Sequence, residues 1–341
     1  MQTIVKSFSE FLNLLVQAFN LSTLFPSLVF WMLVHCTVLP FWIPRYDLDL
    51  IDIFNHGSYL AVASILVVTL AYFLDAANMA IIRLFEGYTF MDFFPFDWYT
   101  DDRRFFVRKN LKLIWRFDKQ AESLLALAEK EEDIDNKKSI LLTLDALLTR
   151  QEECGSKIFG KYPEDPDYVL PTPFGNVIAE GEQYPYKVFG MDAVTLWPFL
   201  RPIITEKHYA EFILREKAIM DFILNLTCIL MAFGVLFVGT ELLCCGISMR
   251  LLIIASVIFL GCCVLCYLAV VSAKGWIVTI RTAFVYFRDD LRTVLGLPKP
   301  ESYLSERRAW EEVSHFLQAR TSGEEIAAFG QRLFCYEEVI E

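Results

Sequence analysis

The sequence has few charged residues and few histidines. Asp, Glu, Lys and Arg make up 21% of the 341 residues, below the roughly 25% that is typical of soluble domains. The net charge of −11 provides no broad basic surface of the kind that phosphate neutralisation requires. The four histidines are scattered, and the nine cysteines form neither a disulfide framework nor a zinc pattern. We therefore expect no nucleic-acid partner, no metal and no cofactor.

Familiar catalytic motifs are also missing from the sequence. It contains no Walker A loop, no Rossmann glycine pattern, no G-x-S-x-G and no H-E-x-x-H. Each of these motifs positions a phosphate, a nucleophile or a metal. Their absence assigns no catalytic residue and weighs against an enzyme, without excluding one.

Hydrophobic residues form 55% of the chain and are concentrated in four blocks. A helix needs roughly 20 apolar residues to cross about 30 Å of hydrocarbon. The sequence thus predicts an all-α membrane protein with four transmembrane helices in two pairs. Residues 1–20 place aromatic and aliphatic side chains on one helical face, which predicts an amphipathic lead-in at the membrane surface. The predicted spans are residues 21–43, 57–83, 220–240 and 251–273.

Basic residues predict the orientation of these spans. Arg45 is the only Lys or Arg between the first two blocks, and Arg250 is the only one between the last two. By contrast, residues 101–219 carry 18 and residues 274–341 carry nine. Because basic loops stay in the cytoplasm, we expect a multi-pass protein of the cell (inner) membrane with both termini cytoplasmic. A mainly helical domain, residues 84–219, is then inserted between the second and third spans.

The inserted domain divides by composition. Residues 102–152 show apolar residues at helical spacing and predict a hairpin that turns near Asp133–Asn136. Residues 162–202 are rich in proline and aromatics, and helical periodicity is lost except around Val177–Gln183. This pattern predicts irregular structure held by specific contacts. Short amphipathic helices are expected in the tail, one with Trp310, Val313 and Leu317 on one side.

One stretch of this domain carries a resemblance. It reads Pro171-Thr172-Pro173-Phe174-Gly175-Asn176, then Glu182-Gln183-Tyr184, Gly190-Met191-Asp192 and Trp197-Pro198. It resembles the P-T-x-x-G-N, E-x-Y, Y-G-x-D and W-P-R-L pattern of a family of uncharacterised bacterial integral membrane proteins. The chain departs from that pattern at Phe189 and Phe199, where tyrosine and arginine are expected. The resemblance implies an architecture and no activity. The candidate functional residues of this motif are Thr172, Gly175, Asn176, Glu180, Tyr184, Gly190, Asp192 and Trp197.

Local chemistry suggests roles for three of these residues. Thr172 is placed to cap a helix that contains Glu180. Gly175 and Asn176 suit a turn or a left-handed backbone position. Scaffolding explains the whole stretch without chemistry, although Asn176, Glu180, Glu182 and Asp192 are also candidates for a catalytic or ligand site.

Two further sets of charged or polar residues stand out. An intramembrane polar set follows the second block, and ionisable groups in a span suggest function. Asp75 either snorkels or bonds to Asn225 or Lys274, or it lines a polar pathway. The members of this polar set are Asp75, Asn78, Arg83 and Glu86.

A basic set follows the fourth block on one helical face. It either binds lipid headgroups or pairs with the acidic central domain. Its members are Arg281, Arg288 and Arg292.

Three functions fit these patterns. The first is a membrane-anchored scaffold or interaction protein that binds a protein partner or self-associates through its cytoplasmic domain. The second is an oligomeric channel- or transporter-like protein, because four helices are few for a pathway within one chain. The third is a membrane-interface enzyme that uses carboxylates of residues 171–198.

Overall fold

The computed structural model describes residues 21–42, 57–90, 96–163 and 165–318. Within these residues the chain is helical, joined by turns, and contains no strand. The predicted amphipathic lead-in at residues 1–20 lies outside the described residues, as does the tail beyond residue 318. The α-helices of the described part of the chain are α1 (Leu21–Thr37), α2 (Leu39–Trp42), α3 (Gly57–Ala76), α4 (Asn78–Glu86), α5 (Phe96–Lys130), α6 (Ile134–Ile158), α7 (Pro173–Phe189), α8 (Ala193–Glu206), α9 (Ala210–Cys244), α10 (Met249–Tyr286), α11 (Arg288–Val294) and α12 (Tyr303–Gln318).

The chain divides into two compact units. The apolar unit comprises the chain up to Phe85 together with Ile213–Trp276, and the central unit comprises Glu86–Phe212 together with the chain from Ile277 onward. The helices α9 and α10 each contribute to both units, because each continues beyond its apolar stretch. Each unit is described separately below.

Two helices of the described chain are long and apolar enough to cross a membrane. These are α9, with 35 residues, and α10, with 38. A third span is formed if α3 and α4 are taken together, although they bend by 58° at the break between them. The helix α1 is apolar but has only 17 residues. Membrane-type helices are thus confirmed at α9 and α10, whereas the number of four spans stays a prediction.

Two apolar clusters hold the apolar unit together. Leu24 on α1 packs with Val67 and Ala71 on α3. Phe233 and Phe237 on α9 pack with Leu251 and with residues of α1. Many other apolar side chains on α9 and α10 are exposed, among them Val235, Val257, Phe259 and Leu260. Exposed apolar side chains around a long helix are what contact with lipid requires.

The predicted hairpin of the central unit is confirmed. The helices α5 and α6 pack along each other and are separated by residues 131–133. The carboxylate of Asp133 caps α6 by accepting a hydrogen bond from the backbone N–H of Asp135. Val107 of α5 and Ile158 of α6 form a small core with Val169.

The prediction of irregular structure over residues 162–202 was wrong. Most of this segment forms α7 and α8. Pro173 occupies the first turn of α7, where its missing N–H costs nothing. Pro185 and the two prolines of α8 lie inside helices, and the helices persist because one face of each is buried. Gly175 and Asn176 are helical rather than in a turn.

The helices that follow agree with the sequence in outline. The helix α10 continues to Tyr286, past its apolar stretch, as predicted. Trp310 and Val313 of α12 are buried, which confirms the predicted apolar side of that helix. The predicted continuous helix from Thr205 into the third apolar block is wrong. A break separates α8 from α9, and His208 there has a positive φ of 58°.

Candidate functional site

The start of α7 is fixed by Thr172. Its hydroxyl accepts a hydrogen bond from the backbone N–H of Gly175 at 2.9 Å, which confirms the predicted N-cap. The same hydroxyl donates to the backbone carbonyl of Glu86 at 3.0 Å. One side chain therefore satisfies an open N–H of α7 and joins α7 to the end of α4.

Gly175 allows this junction to be close. A Cβ atom at this position would lie 2.2 Å from the carbonyl oxygen of Glu86, a distance that no side chain tolerates. Glycine is required here for the approach of two backbones rather than for a turn.

Asn176 links the segment before α7 to the helix. Its Oδ1 accepts a hydrogen bond from the N–H of Leu170 at 2.8 Å, and its Nδ2 donates to the carbonyls of Leu170 at 2.9 Å and Thr172 at 2.8 Å. The residue is only 2% exposed. The amide thus mimics a backbone pairing for Leu170, whose polar groups would otherwise be buried without partners.

The turn between α7 and α8 is built by Gly190 and Asp192. Gly190 ends α7 in the left-handed conformation with φ 78°, a common helix ending. The carboxylate of Asp192 caps α8 by accepting from the N–H of Thr195 at 2.7 Å. Ser314 of α12 accepts from the N–H of Asp192 and donates to the carbonyl of Gly190. This turn therefore anchors α12.

Trp197 completes the scaffold on α8. Its ring lies 6.3 Å from that of Phe284 on the part of α10 that belongs to the central unit, within the usual range of aromatic pairs. Six of the eight motif residues thus have structural roles: Thr172, Gly175, Asn176, Gly190, Asp192 and Trp197.

The central unit contains a cleft with a volume of about 940 Å³, and residues of α7 form part of its lining. Its wall contains six aromatic side chains: Tyr88, Phe159, Tyr162, Tyr168, Tyr184 and Tyr186. Five carboxylates also line it: Asp165, Asp167, Glu180, Glu182 and Asp192. Three cationic side chains, Lys187, Arg281 and Arg307, and the imidazole of His315 complete the polar lining. The lining includes the two remaining motif residues, Glu180 and Tyr184, together with Asp192.

Glu180 is neutralised within the cleft. It forms an ion pair with Arg281, and the Arg281 guanidinium also lies over the ring of Tyr184, 4.9 Å from its centroid. Both charged side chains are largely buried. Because a planar guanidinium is held by a carboxylate and an aromatic face together, this arrangement also shows which chemistry the cleft wall recognises.

The basic set of α10 and α11 is directed inward. Arg288 bonds to Glu306 at 2.6 Å and lies over the ring of Phe189, and Arg292 bonds to Asp289 at 3.0 Å. Together with the Arg281 pair, these contacts favour pairing within the central unit over the lipid-headgroup role.

Glu182 differs from Glu180, because the charges that act on it are both negative. Burial in the cleft and the nearby carboxylates of Glu86 and Asp192 raise the pKa of Glu182 to about 7. The residue lines the cleft and its surface is nevertheless exposed to solvent. The carboxyl of Glu182 thus titrates near neutral pH.

From the sequence, Glu182 was one of four candidates for a catalytic or ligand site, and Glu86 was predicted to lie in the membrane. In the structure Glu86 ends α4 and is buried in the central unit, and its place in the membrane stays a prediction. No spacing rule links Glu86 to Glu182, because 96 positions separate them in the sequence and contacts of Thr172 and Gly175 hold Glu86 beside the start of α7.

The rest of the intramembrane polar set lies in the apolar unit. Asp75 and Arg83 are exposed. Asn78 donates to the carboxylate of Asp221 at 3.2 Å, and Asn225 donates to the carbonyl of Ser22 rather than to Asp75. A bond between Asp75 and Asn225, one of the alternatives for Asp75, is thus not formed among the described residues. Asp221 is a partner of Asn78 that the sequence did not indicate.

Neither the arrangement of metal-ligating side chains nor comparison with known proteins assigns a function to the site. Among the residues that the structure describes, no group of three or more His, Cys, Asp or Glu side chains is arranged to hold a metal ion. Comparisons with family models, with curated proteins and with solved structures each find no match. The resemblance to the bacterial membrane family stays a prediction.

The raised pKa of Glu182 makes stability depend on pH. Between about pH 4.5, the value of an ordinary glutamate, and pH 7, the folded chain holds a proton that the unfolded chain has lost. This contribution to stability is present below pH 4.5 and is lost as the pH rises through 7. Glu182→Gln mimics the protonated form, so we expect its melting temperature to exceed that of the wild type by about 2 °C at pH 8, with solvent screening limiting the gain.

Thermal unfolding of the full chain in detergent from pH 4.5 to 8 measures this difference. Glu122→Gln, which removes an exposed carboxylate from α5, is the control and should leave the wild-type profile unchanged. If the melting temperatures of Glu182→Gln and the wild type differ by the same amount over the whole pH range, the raised pKa of Glu182 is contradicted.

Proposed function

We propose that the protein is a membrane-anchored interaction protein, and that the cleft of the central unit is its binding site. The observation that carries this proposal is the wall of the cleft, which combines aromatic rings with an excess of carboxylates. Two of its cations are already occupied, Arg281 by Glu180 and Arg307 by Glu311. Glu182, with only carboxylates acting on it, remains as a site for a positively charged group.

The chemistry of the cleft favours a partner that inserts a lysine or arginine side chain. The Arg281 guanidinium on Glu180 and Tyr184 is an internal example of such recognition. Aromatic faces and a carboxylate bind cations more strongly where water is excluded. Arrival of a cation beside Glu182 would also favour its ionised form, so binding and proton release would be linked.

The membrane arrangement supports an anchoring role. In this proposal the four apolar blocks span the cell (inner) membrane in two pairs, with the central unit and both termini in the cytoplasm. Its support is the length of α9 and α10 and the distribution of basic residues between the loops. The partner is then either a second copy of this chain or another protein at the cytoplasmic face of the bilayer.

Site-specific photo-crosslinking in cells tests the proposal. A photoreactive amino acid at Val194, which lines the cleft and is 68% exposed, should trap a partner. The same group at Phe105, which is 65% exposed on α5 and outside the cleft, is the matched control. An adduct of twice the 39.4 kDa chain mass identifies self-association, and an adduct of another mass identifies a different protein. Equal yields at the two positions would contradict the proposal.

A second candidate function is enzymatic, and the pKa of Glu182 favours it. A carboxyl that titrates near neutral pH in a cleft is suited to general acid–base catalysis. A cleft that serves only a small-molecule substrate would give no protein adduct at Val194. That result, combined with the pH dependence of the Glu182→Gln variant, would favour the enzyme over the interaction protein.

A further inference from the structure

The break between α3 and α4 coincides with a buried polar cluster in the apolar unit. Asn78 is the first residue of α4, directly after the 58° bend. Its partner Asp221 is 8% exposed and precedes the uncharged stretch of α9, and Asn225 lies one helical turn further on and is 0% exposed. Polar side chains at a broken helix within an apolar unit are a feature of sites that bind ions or polar substrates.

Hydrogen bonds fix the orientation of both amides. Asn78 Nδ2 faces the carboxylate Oδ2 of Asp221, and Asn225 Nδ2 faces the carbonyl oxygen of Ser22 at 3.1 Å. Rotating either amide by 180° would place an oxygen against an oxygen, so neither amide can be reversed. The Oδ1 atoms of both residues must therefore point away from these partners.

The cluster consequently has a surplus of acceptors. The nitrogens of Asn78, Asn225 and Lys217 all have acceptors, the last of them through a 2.5 Å contact with Asp221 Oδ2. By contrast, Asn78 Oδ1, Asp221 Oδ1 and Asn225 Oδ1 are buried and accept no hydrogen bond. Three buried oxygens in one neighbourhood call for a cation or for a donor of hydrogen bonds.

We propose that Asn78, Asp221 and Asn225 bind a monovalent cation at the break between α3 and α4. Carboxylate and amide oxygens are the ligands that hard cations prefer. Lys217 already balances the charge of Asp221, so the site offers oxygen dipoles with little net negative charge and suits a single positive charge better than two. This site lies in the apolar unit and does not depend on the cleft or on its partner.

Ion binding to the purified full chain in lipid nanodiscs tests the proposal directly. The probes are radioactive sodium and rubidium, with choline as the cation too large for the site. We expect saturable binding of one ion per chain. We also expect the melting temperature to rise by about 2–4 °C in sodium or potassium chloride relative to choline chloride at equal ionic strength.

Variants assign the ion to these residues. Asn225→Leu removes one oxygen at nearly constant volume and should weaken binding by about tenfold or more, and Asn78→Leu should act in the same direction. Asp75→Asn, at an exposed position beside the same break, should keep wild-type affinity. Measuring both leucine variants keeps the test valid if one of them fails to fold. Identical melting temperatures in the three salts without saturable binding would show that the oxygens take water only, and binding unchanged in both leucine variants would equally overturn the proposal.

Discussion

Replacing Asn176 with alanine is expected to lower the free energy of unfolding by about 3–5 kcal/mol. The variant leaves the N–H and carbonyl of Leu170 buried without their side-chain partner, and each such loss costs about 1–3 kcal/mol. The carbonyl of Thr172 loses one of its two hydrogen bonds and keeps the backbone one. Thermal unfolding in detergent, combined with limited proteolysis of the central unit, measures the effect.

Asn110 provides a matched control for this prediction. It is also a buried asparagine, but it bonds only to the carbonyl of Phe106 one turn earlier in its own helix. That carbonyl keeps its place in the helix, so Asn110→Ala should cost about 1 kcal/mol or less. If the two variants are destabilised equally, Asn176 does not hold the cleft scaffold as described.

The second large effect is expected at Gly190. Alanine there places a Cβ atom 2.5 Å from the carbonyl oxygen of Arg307 on α12, at a backbone φ of +78°. The left-handed conformation costs a non-glycine residue about 1–2 kcal/mol, and the clash adds about 1–3 kcal/mol. Because the neighbour is backbone, α12 must shift, so we expect Gly190→Ala to expose α12 to protease as well as to lower the melting temperature.

Gly160→Ala separates these two contributions. Gly160 has a similar φ of +70°, but a Cβ atom there meets nothing within 4 Å. This variant should therefore show only the cost of the left-handed backbone and leave the protease resistance of α12 intact. Loss of α12 protection in Gly160→Ala, or its retention in Gly190→Ala, would contradict the assigned contact.

Local patterns account for what the sequence predicted correctly. The α5–α6 hairpin follows from apolar spacing and an acidic break around Asp133, and the cap at Thr172 follows from its position before a proline and a helix. Long uncharged stretches likewise identify α9 and α10. In each case neighbours in sequence decide the outcome.

Contacts between distant segments account for what the sequence did not predict. The prolines of residues 162–202 suggested irregular structure, yet burial of α7 and α8 outweighs their local cost. Gly175 was expected in a turn, whereas it serves a backbone contact with Glu86 across 89 positions. The pKa of Glu182 is raised first by burial and then by the carboxylates of Glu86 and Asp192, and no spacing pattern reveals that Glu86 lies near Glu182.

In the proposed function, Glu182 receives a cationic group of a partner in the cleft of the central unit. The most direct measurement is the yield of the photo-crosslink from Val194 in wild type and in Glu182→Gln, with the melting temperature of each. We expect the yield to fall severalfold in Glu182→Gln while the melting temperature stays equal or rises. An unchanged yield in a folded Glu182→Gln chain would contradict the claim.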